Sequence, residues 1–479
     1  MTLRADNRNS GFGATLDLII TIGVLLALAF SALAHGAVEP WSLAIFSLIV
    51  VALTALWVIK GVVDRRLTVN APPTAAPLVA LLLVGLLQSI AVTDQSGKKY
   101  AISLDVEATR LTLEILLVIF IALLIASSFL TGGEKLSWLR NFLILFGLAL
   151  AVFGLMQHFT WNGKYYWVIE PSVPPTSPFG PFVNHNHFAG YMELILPLPV
   201  ALILTRAVRG ELALLYGFAA AIMGVADIVS LSRGGMISLV AGLMFVAALG
   251  FKPRNETRFG DPSRRSFFRL PAVASRIGAV AVILLTIGAG VWWVGADPVI
   301  RRVERSDLTP AGLDAPSQDP RKESFFESRG WIWTDSVAMI RDNWVTGVGL
   351  GAFQTAYPIY SKHDGSVFIG QAHNDFLQIV ADCGVLGAGL ALWFIFLVAR
   401  DTVRALRHRD PMMAGMALGA AGGIFALLVH SLFDFNLQLP SNALLFLVLS
   451  SVVSQIAAAT EGKVSQAFLE RAIRLKVAA

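Results

Sequence analysis

Residues 111–130 read LTLEILLVIFIALLIASSFL. Twenty almost wholly apolar residues in a row make a helix about 30 Å long, which is the thickness of the hydrocarbon core of a bilayer. Working outward, eleven more blocks have the same character: 15–35, 40–59, 77–92, 138–158, 187–205, 212–231, 235–251, 273–295, 376–399, 412–430 and 441–458. The pattern predicts an all-α polytopic membrane protein with about twelve transmembrane helices and one large outer loop. The first block is too long for the core of a signal peptide and lacks a small-residue cleavage site, so it reads as a helix. The chain then divides into helices one to nine over 1–295, a large loop over 296–375, helices ten to twelve over 376–458 and a tail over 459–479.

Composition agrees. Of 479 residues, 56% are hydrophobic and 14% charged, against about 45–50% and about 25% in soluble domains. This excludes an ordinary cytosolic enzyme, a disordered chain and a nucleic-acid-binding domain. The net charge of +5 reads as an orientation signal instead. Cys383 is the one cysteine, so no intrachain disulfide can form.

Assigned to alternate sides of twelve spans, 24 of the 37 Lys and Arg fall on the side of the N-terminus and 13 on the other. Eight of the 13 lie in the one long loop, where the positive-inside rule carries little weight. Both termini are therefore expected in the cytoplasm. The long segment 296–375, the Pro-rich 159–186, the tight connection 232–234 and the short 431–440 face outward. No internal repeat is evident, which argues against a transporter built from inverted repeats.

The outer segments carry the polar chemistry. LSRGG places Arg233 between two tightly spaced spans, a costly position unless the arginine is paired or functional. Asp227, two turns earlier, is a candidate counter-ion. In ESRGWIWTDSVAMIRDNW, Trp333, Val337 and Ile340 share a helix face. Ser328 is a candidate N-cap, which puts Arg329 in the first turn. A cation there opposes the helix dipole unless an anion shares the site. GVGLGAF, with Gly347, Gly349 and Gly351, has neither the dinucleotide fingerprint nor a Walker Lys-Ser/Thr, and suits a turn packed closely on the membrane helices. AHNDFLQIVADCGVLG puts His373 at the head of span ten, an imidazole able to act as a base near neutral pH. Asp375 and Asp382 stand nearby, either to orient it or to cap the helix. FVNHNHFAGYMELILPLP contains His185 and His187, whose i, i+2 spacing does not place them on one helix face. Asn caps that span, and Glu193 within it should face the protein interior. HSLFDFNLQLP sets His430 and Asp434 in the same outer plane. No metal-ligand spacing appears.

SLSRGGMISL, the pattern R-x-x-x-W followed by GVGLGAF, and HNDFLQIVADCGVLG closely resemble segments of the O-antigen ligase and polymerase superfamily. NHNHFAGY and HSLFDFNLQLPSNA look like further segments of its members, in the right order from about residue 150 to 450. The resemblance implies an integral-membrane glycosyltransferase of the GT-C-like type in a bacterial inner membrane. Its donor would be a glycan on undecaprenyl diphosphate. Its acceptor would be lipid A-core in a ligase, or a growing glycan in a polymerase of O-antigen, capsule or exopolysaccharide. It implies His373 as base, Arg233 and Arg329 on the donor diphosphate, and no metal or other cofactor. His187, His430 and Asp434 are expected to bind substrate. A lipid-linked glycan transporter is the reading from another class.

Overall fold

The computed structural model describes residues 11–93, 99–171, 178–250, 325–362, 369–462 and 469–473. The predicted span 273–295 and the first part of the long loop lie outside them. In chain order the elements are α1 (Gly11–Leu33), α2 (Pro40–Val63), β1 (Leu67–Ala71), α3 (Ala75–Gln88), the two-residue strands β2 (Val92–Thr93) and β3 (Lys99–Tyr100), α4 (Val106–Phe129) and α5 (Gly132–Phe159). There follow α6 (His185–Ile195), α7 (Pro197–Leu204), α8 (Glu211–Val229) and α9 (Arg233–Gly250). After the undescribed stretch come α10 (Phe325–Asp342), α11 (Phe353–Tyr360), α12 (Asp375–Ala405), α13 (Pro411–His430), α14 (Pro440–Thr460) and β4 (Leu469–Ile473).

Among the described residues, ten helical segments are long and apolar enough to cross a membrane, with α6 and α7 together forming one of them. The predicted span 77–92 is the fourteen-residue α3, only about 21 Å long at 1.5 Å per residue. It nevertheless joins the two ends of the bundle. Before it, Asn70 of β1 binds Ser127 and Ser128 at the C-terminal end of α4. At its far end, Gln88 reaches the outer-loop residues Thr346 and Leu350, and Leu104, just before α4, donates to the Val348 carbonyl.

Side-chain contacts sort the helix ends into two groups. At one end Lys60 reaches the Gly13 carbonyl at 3.3 Å, Lys135 pairs with Asp17, and Arg140 lies 2.8 Å from the Met412 sulfur. Arg404 pairs with Glu461 there at 3.1 Å. This is the basic end, and β4 closes on β1 beside it in an antiparallel pair from Leu67↔Ile473 to Ala71↔Leu469. The opposite end carries α10, α11 and the loop residues 34–39, 160–171, 178–184, 230–232 and 431–439.

One hydrophobic core runs through the bundle from α1 to α14. Its middle is α6, α7, α13 and α14, buried nearly all round. Close approach there depends on small residues: a Cβ added at Gly423 of α13 would stand 2.3 Å from the Leu194 carbonyl oxygen. A second, smaller core (Ile332, Met339, Val348, Phe353, Tyr357, Ala372 and Ala381) holds the cap formed by α10, α11 and the head of α12.

Three local expectations change. The helix of ESRGWIW already includes Phe325, so Ser328 lies inside it and is no cap, and Arg329 sits at least one turn in. Its inward stripe is Ile332, Ser336 and Met339, while Val337 is 47% exposed. In α12 the backbone breaks at Gly384 (φ +60°, ψ −151°). The first nine residues, from 375 to 383, therefore belong to the cap, and the crossing starts later than the apolar block suggests.

Candidate active site

The loop between α13 and α14 organises the outer end. Its centre is Asp434, fully buried. One carboxylate oxygen, Oδ1, lies 3.3 Å from His373 Nδ1 and accepts from the Phe435 backbone N–H at 2.9 Å. The other, Oδ2, accepts from Asn186 Nδ2 at 2.5 Å and stands 3.6 Å from Arg329 Nη2. Arg329 also donates through Nη1 to the Phe433 carbonyl. Burial opposes ionisation of Asp434. The His373 hydrogen bond and the Arg329 charge outweigh it and hold the carboxyl well below the usual carboxylate range.

His373 is placed by its neighbours in sequence. Asn374 caps α12, its side chain accepting from the Leu377 N–H at 3.0 Å and donating to the Leu432 carbonyl at 3.1 Å. The Ala372 N–H donates to Gln378 Oε1 at 2.7 Å, and the Ala372 carbonyl accepts from Trp333 Nε1 at 3.1 Å. Between these anchors His373 takes φ +49°. Its side chain keeps 31% exposure while that of Arg329 keeps 12%. Phe435 stands edge-on to both His373 and His187, 4.9 Å from each ring centre. Asp375 does not orient His373. It accepts from Ser431 Oγ at 2.7 Å and the Leu437 N–H at 3.1 Å, fastening α12 to the organising loop.

Arg233 begins α9. Ser232 caps that helix, its hydroxyl accepting from the Gly235 N–H at 3.0 Å. A Cβ added at the next residue, Gly234, would lie 2.7 Å from the His430 ring and 3.6 Å from Phe433 Cβ. The turn 430–435 thus touches His373, Arg329 and the residue adjoining Arg233. Asp227 is not the counter-ion of Arg233: neither of its buried carboxylate oxygens has a hydrogen-bond partner among the described residues.

The residues expected to touch substrate sit deeper than expected. Asp434, His430 and His187 are all buried. His430 Nδ1 is 3.0 Å from Glu193 Oε1, and the His187 carbonyl accepts from Asn442 at 3.0 Å. They back the site rather than line it. The glycine turn is part of that backing. Gly347, Gly349 and Gly351 all take positive φ, and a Cβ at Gly347 would stand 2.3 Å from the Asp382 carbonyl oxygen. Asn186, which donates to Asp434, has no sequence signal beyond its place in an Asn-His repeat. Among the described residues no three His, Cys, Asp or Glu side chains converge as metal ligands.

An imidazole with a buried carboxylate behind it and a guanidinium on the same carboxylate suits transfer to a hydroxyl with an anionic leaving group. Among curated proteins, no match to the chain is found. The family model described as O-antigen ligase matches residues 218–394, a stretch that contains Arg233, Arg329 and His373 and ends before Asp434. The chain is thus a polytopic all-α membrane protein whose central part, residues 218–394, carries an O-antigen ligase domain.

Proposed function

We propose that the protein transfers a glycan from undecaprenyl diphosphate to an acceptor hydroxyl, as a ligase acting on lipid A-core at the periplasmic face. The observation that carries this reading is the His373–Asp434 pair beside Arg329. An ionised Asp434 accepts from Nδ1–H, which fixes the tautomer and leaves the Nε2 lone pair as the base. Nε2 takes the proton of the acceptor hydroxyl as its oxygen bonds to the anomeric carbon. The bond from that carbon to the diphosphate oxygen breaks, and its electron pair leaves on the diphosphate. Arg233 and Arg329 meet the growing charge, a contribution of roughly 10²–10³ in rate for each group of this kind. Base catalysis adds roughly 10²–10⁴. Asp434 stabilises the imidazolium until its proton passes to solvent.

The assignment of faces rests on charge. The basic end belongs in the cytoplasm by the positive-inside rule, which sets both termini there and the site in the periplasm. Domain roles follow: the helices of 1–295 and 376–458 hold the site, and 296–375 supplies its catalytic loop.

The deciding experiment is the size of the undecaprenyl-linked glycan in a strain lacking this protein. Long lipid-linked polymer is expected, because polymerisation proceeds and transfer does not. Single repeat units accumulating outside would make the protein a polymerase using the same residues on a lipid-linked acceptor. Units trapped on the inner leaflet would make it a transporter and overturn the reading.

A further inference from the structure

Glu193 takes no part in the chemistry above, yet it is fully buried in the membrane layer beneath the site. It lies near the end of α6, where the chain passes into α7 through Pro197. Proline has no N–H to donate to the carbonyl four residues back, so the Glu193 carbonyl loses its helical donor and the helix breaks at Leu196, one turn on. Both oxygens of its carboxylate face one partner, His430 Nδ1, at 3.0 and 3.3 Å. His430 is the last residue of α13 and is also buried. The opposite edge of its ring lies against α9. A Cβ at Gly234 would stand 2.7 Å from both Cδ2 and Nε2. Gly235, on the same turn, leaves room for Ala189 of α6, one turn before Glu193, with 2.8 Å between its added Cβ and that of Ala189.

The contacts therefore run from a carboxylate to an imidazole to the backbone beside Arg233. A buried ionisable pair is costly, and an apolar pair of similar volume often packs at no loss of stability. What the apolar pair lacks is direction. A two-oxygen acceptor fixes the plane of the imidazole, and that plane is the surface on which the first turn of α9 rests. We propose that Glu193, acting through His430, is a positioning residue that sets the first turn of α9 and so aims Arg233 at the donor diphosphate. This rests on the reading of Arg233 as a diphosphate ligand.

The test uses the full chain in nanodiscs, with a polyprenyl diphosphate lacking glycan as the binding probe and lipid-linked glycan for kinetics. Glu193→Ala is expected to weaken probe binding and to raise the donor KM, with a combined loss in kcat/KM of roughly 10²-fold, the usual cost of a misplacement near 1 Å. Glu193→Gln still offers an amide oxygen to Nδ1–H and should recover to within about threefold, since the direction of the bond is kept and only the charge is lost. Gly234→Ala, which displaces the ring while leaving both polar groups in place, should reproduce the alanine phenotype at Glu193. The acceptor KM should not move in any of them. If Glu193→Ala does not accumulate, Gly234→Ala and Glu193→Gln decide alone. Wild-type probe binding in Gly234→Ala, or equal losses in Glu193→Gln and Glu193→Ala, overturns the positioning role. Failure of the unmodified protein to bind the probe, or an unaffected Arg233→Ala, overturns instead the reading on which it rests.

Discussion

At His373 the backbone holds a left-handed conformation, φ +49°, which costs a non-glycine residue on the order of 1–3 kcal/mol. The flanking hydrogen bonds of Ala372 and Asn374 impose it. The ring is thereby turned to Asp434 rather than to Asp375, its near neighbour in sequence. Replacing His373 by Ala should lower transfer at least about 100-fold in a reconstituted assay while the protein still inserts. Asp434→Asn should lower it by a similar factor, because an amide can donate to Nδ1 and favour the unproductive tautomer. The same substitution should reshape acid stability. Asp434 titrates below its usual range in the folded state, so its stabilising contribution is present above the ordinary carboxylate pKa near 4 and disappears as pH falls below it. Thermal unfolding in detergent should show Asp434→Asn weaker than wild type at neutral pH, with the gap narrowing below about pH 4. A constant gap down to pH 2 would mean that the carboxylate is not held by these partners. The outer placement of Arg233, Arg329 and His373 is legible in sequence because each is a cation or imidazole at a hydropathy boundary. The pairing of Asp434 with His373 is not, since the two meet across 61 residues of chain and Asp375 is nearer in sequence.

Among the elements, the glycine turn 347–351 and the head of α12 form one joint. The Val348 and Gly349 N–H groups donate to the carbonyls of Ala381 and Asp382 at 2.9 and 3.0 Å. Gln88 of α3 ties both sides, reaching the Thr346 and Asp382 carbonyls at 2.7 and 2.9 Å. A side chain at Gly349 would need φ +116° and would stand 2.2 Å from Ser103 Oγ. Gly349→Ala should therefore cost several kcal/mol, from backbone strain and overpacking together. It should be seen as a lower Tm with proportionate loss of activity. An unchanged Tm would mean that the cap is not seated on α3 and α4 as described. Sequence periodicity located these elements but not their ends. The break at Gly384 is decided by the close approach of Trp344 and Val345 in the cap, which no local pattern contains.

Across the whole molecule, charge and contacts agree on two ends. Lys60, Lys135, Arg140, Arg404 and the strand pair gather at one, and the candidate site is built at the other. Cys383 is buried, so a thiol reagent should leave the unmodified protein unlabelled. A cysteine at the exposed Asn162 should label from outside intact cells, and one at the exposed Arg407 only after the inner face is opened. The reverse pattern would invert every assignment of side. Hydropathy was a sound guide at this scale because bilayer thickness sets helix length. It had less to say about α3, whose fourteen residues are short for a crossing, and nothing about which helices become neighbours.

The pairing of β1 with β4 has a consequence for biosynthesis. Residues 67–71 leave the ribosome about 400 residues before their partners, 469–473. At about 5–20 residues per second, roughly 20–80 s of translation separate the two. During that interval every intervening helix must be delivered to the bilayer with the strand at 67–71 still waiting for its mate. The sheet is thus a latch that closes only once residues 469–473 have been made, and a ribosome that stops before them leaves an open edge for quality-control proteases to find.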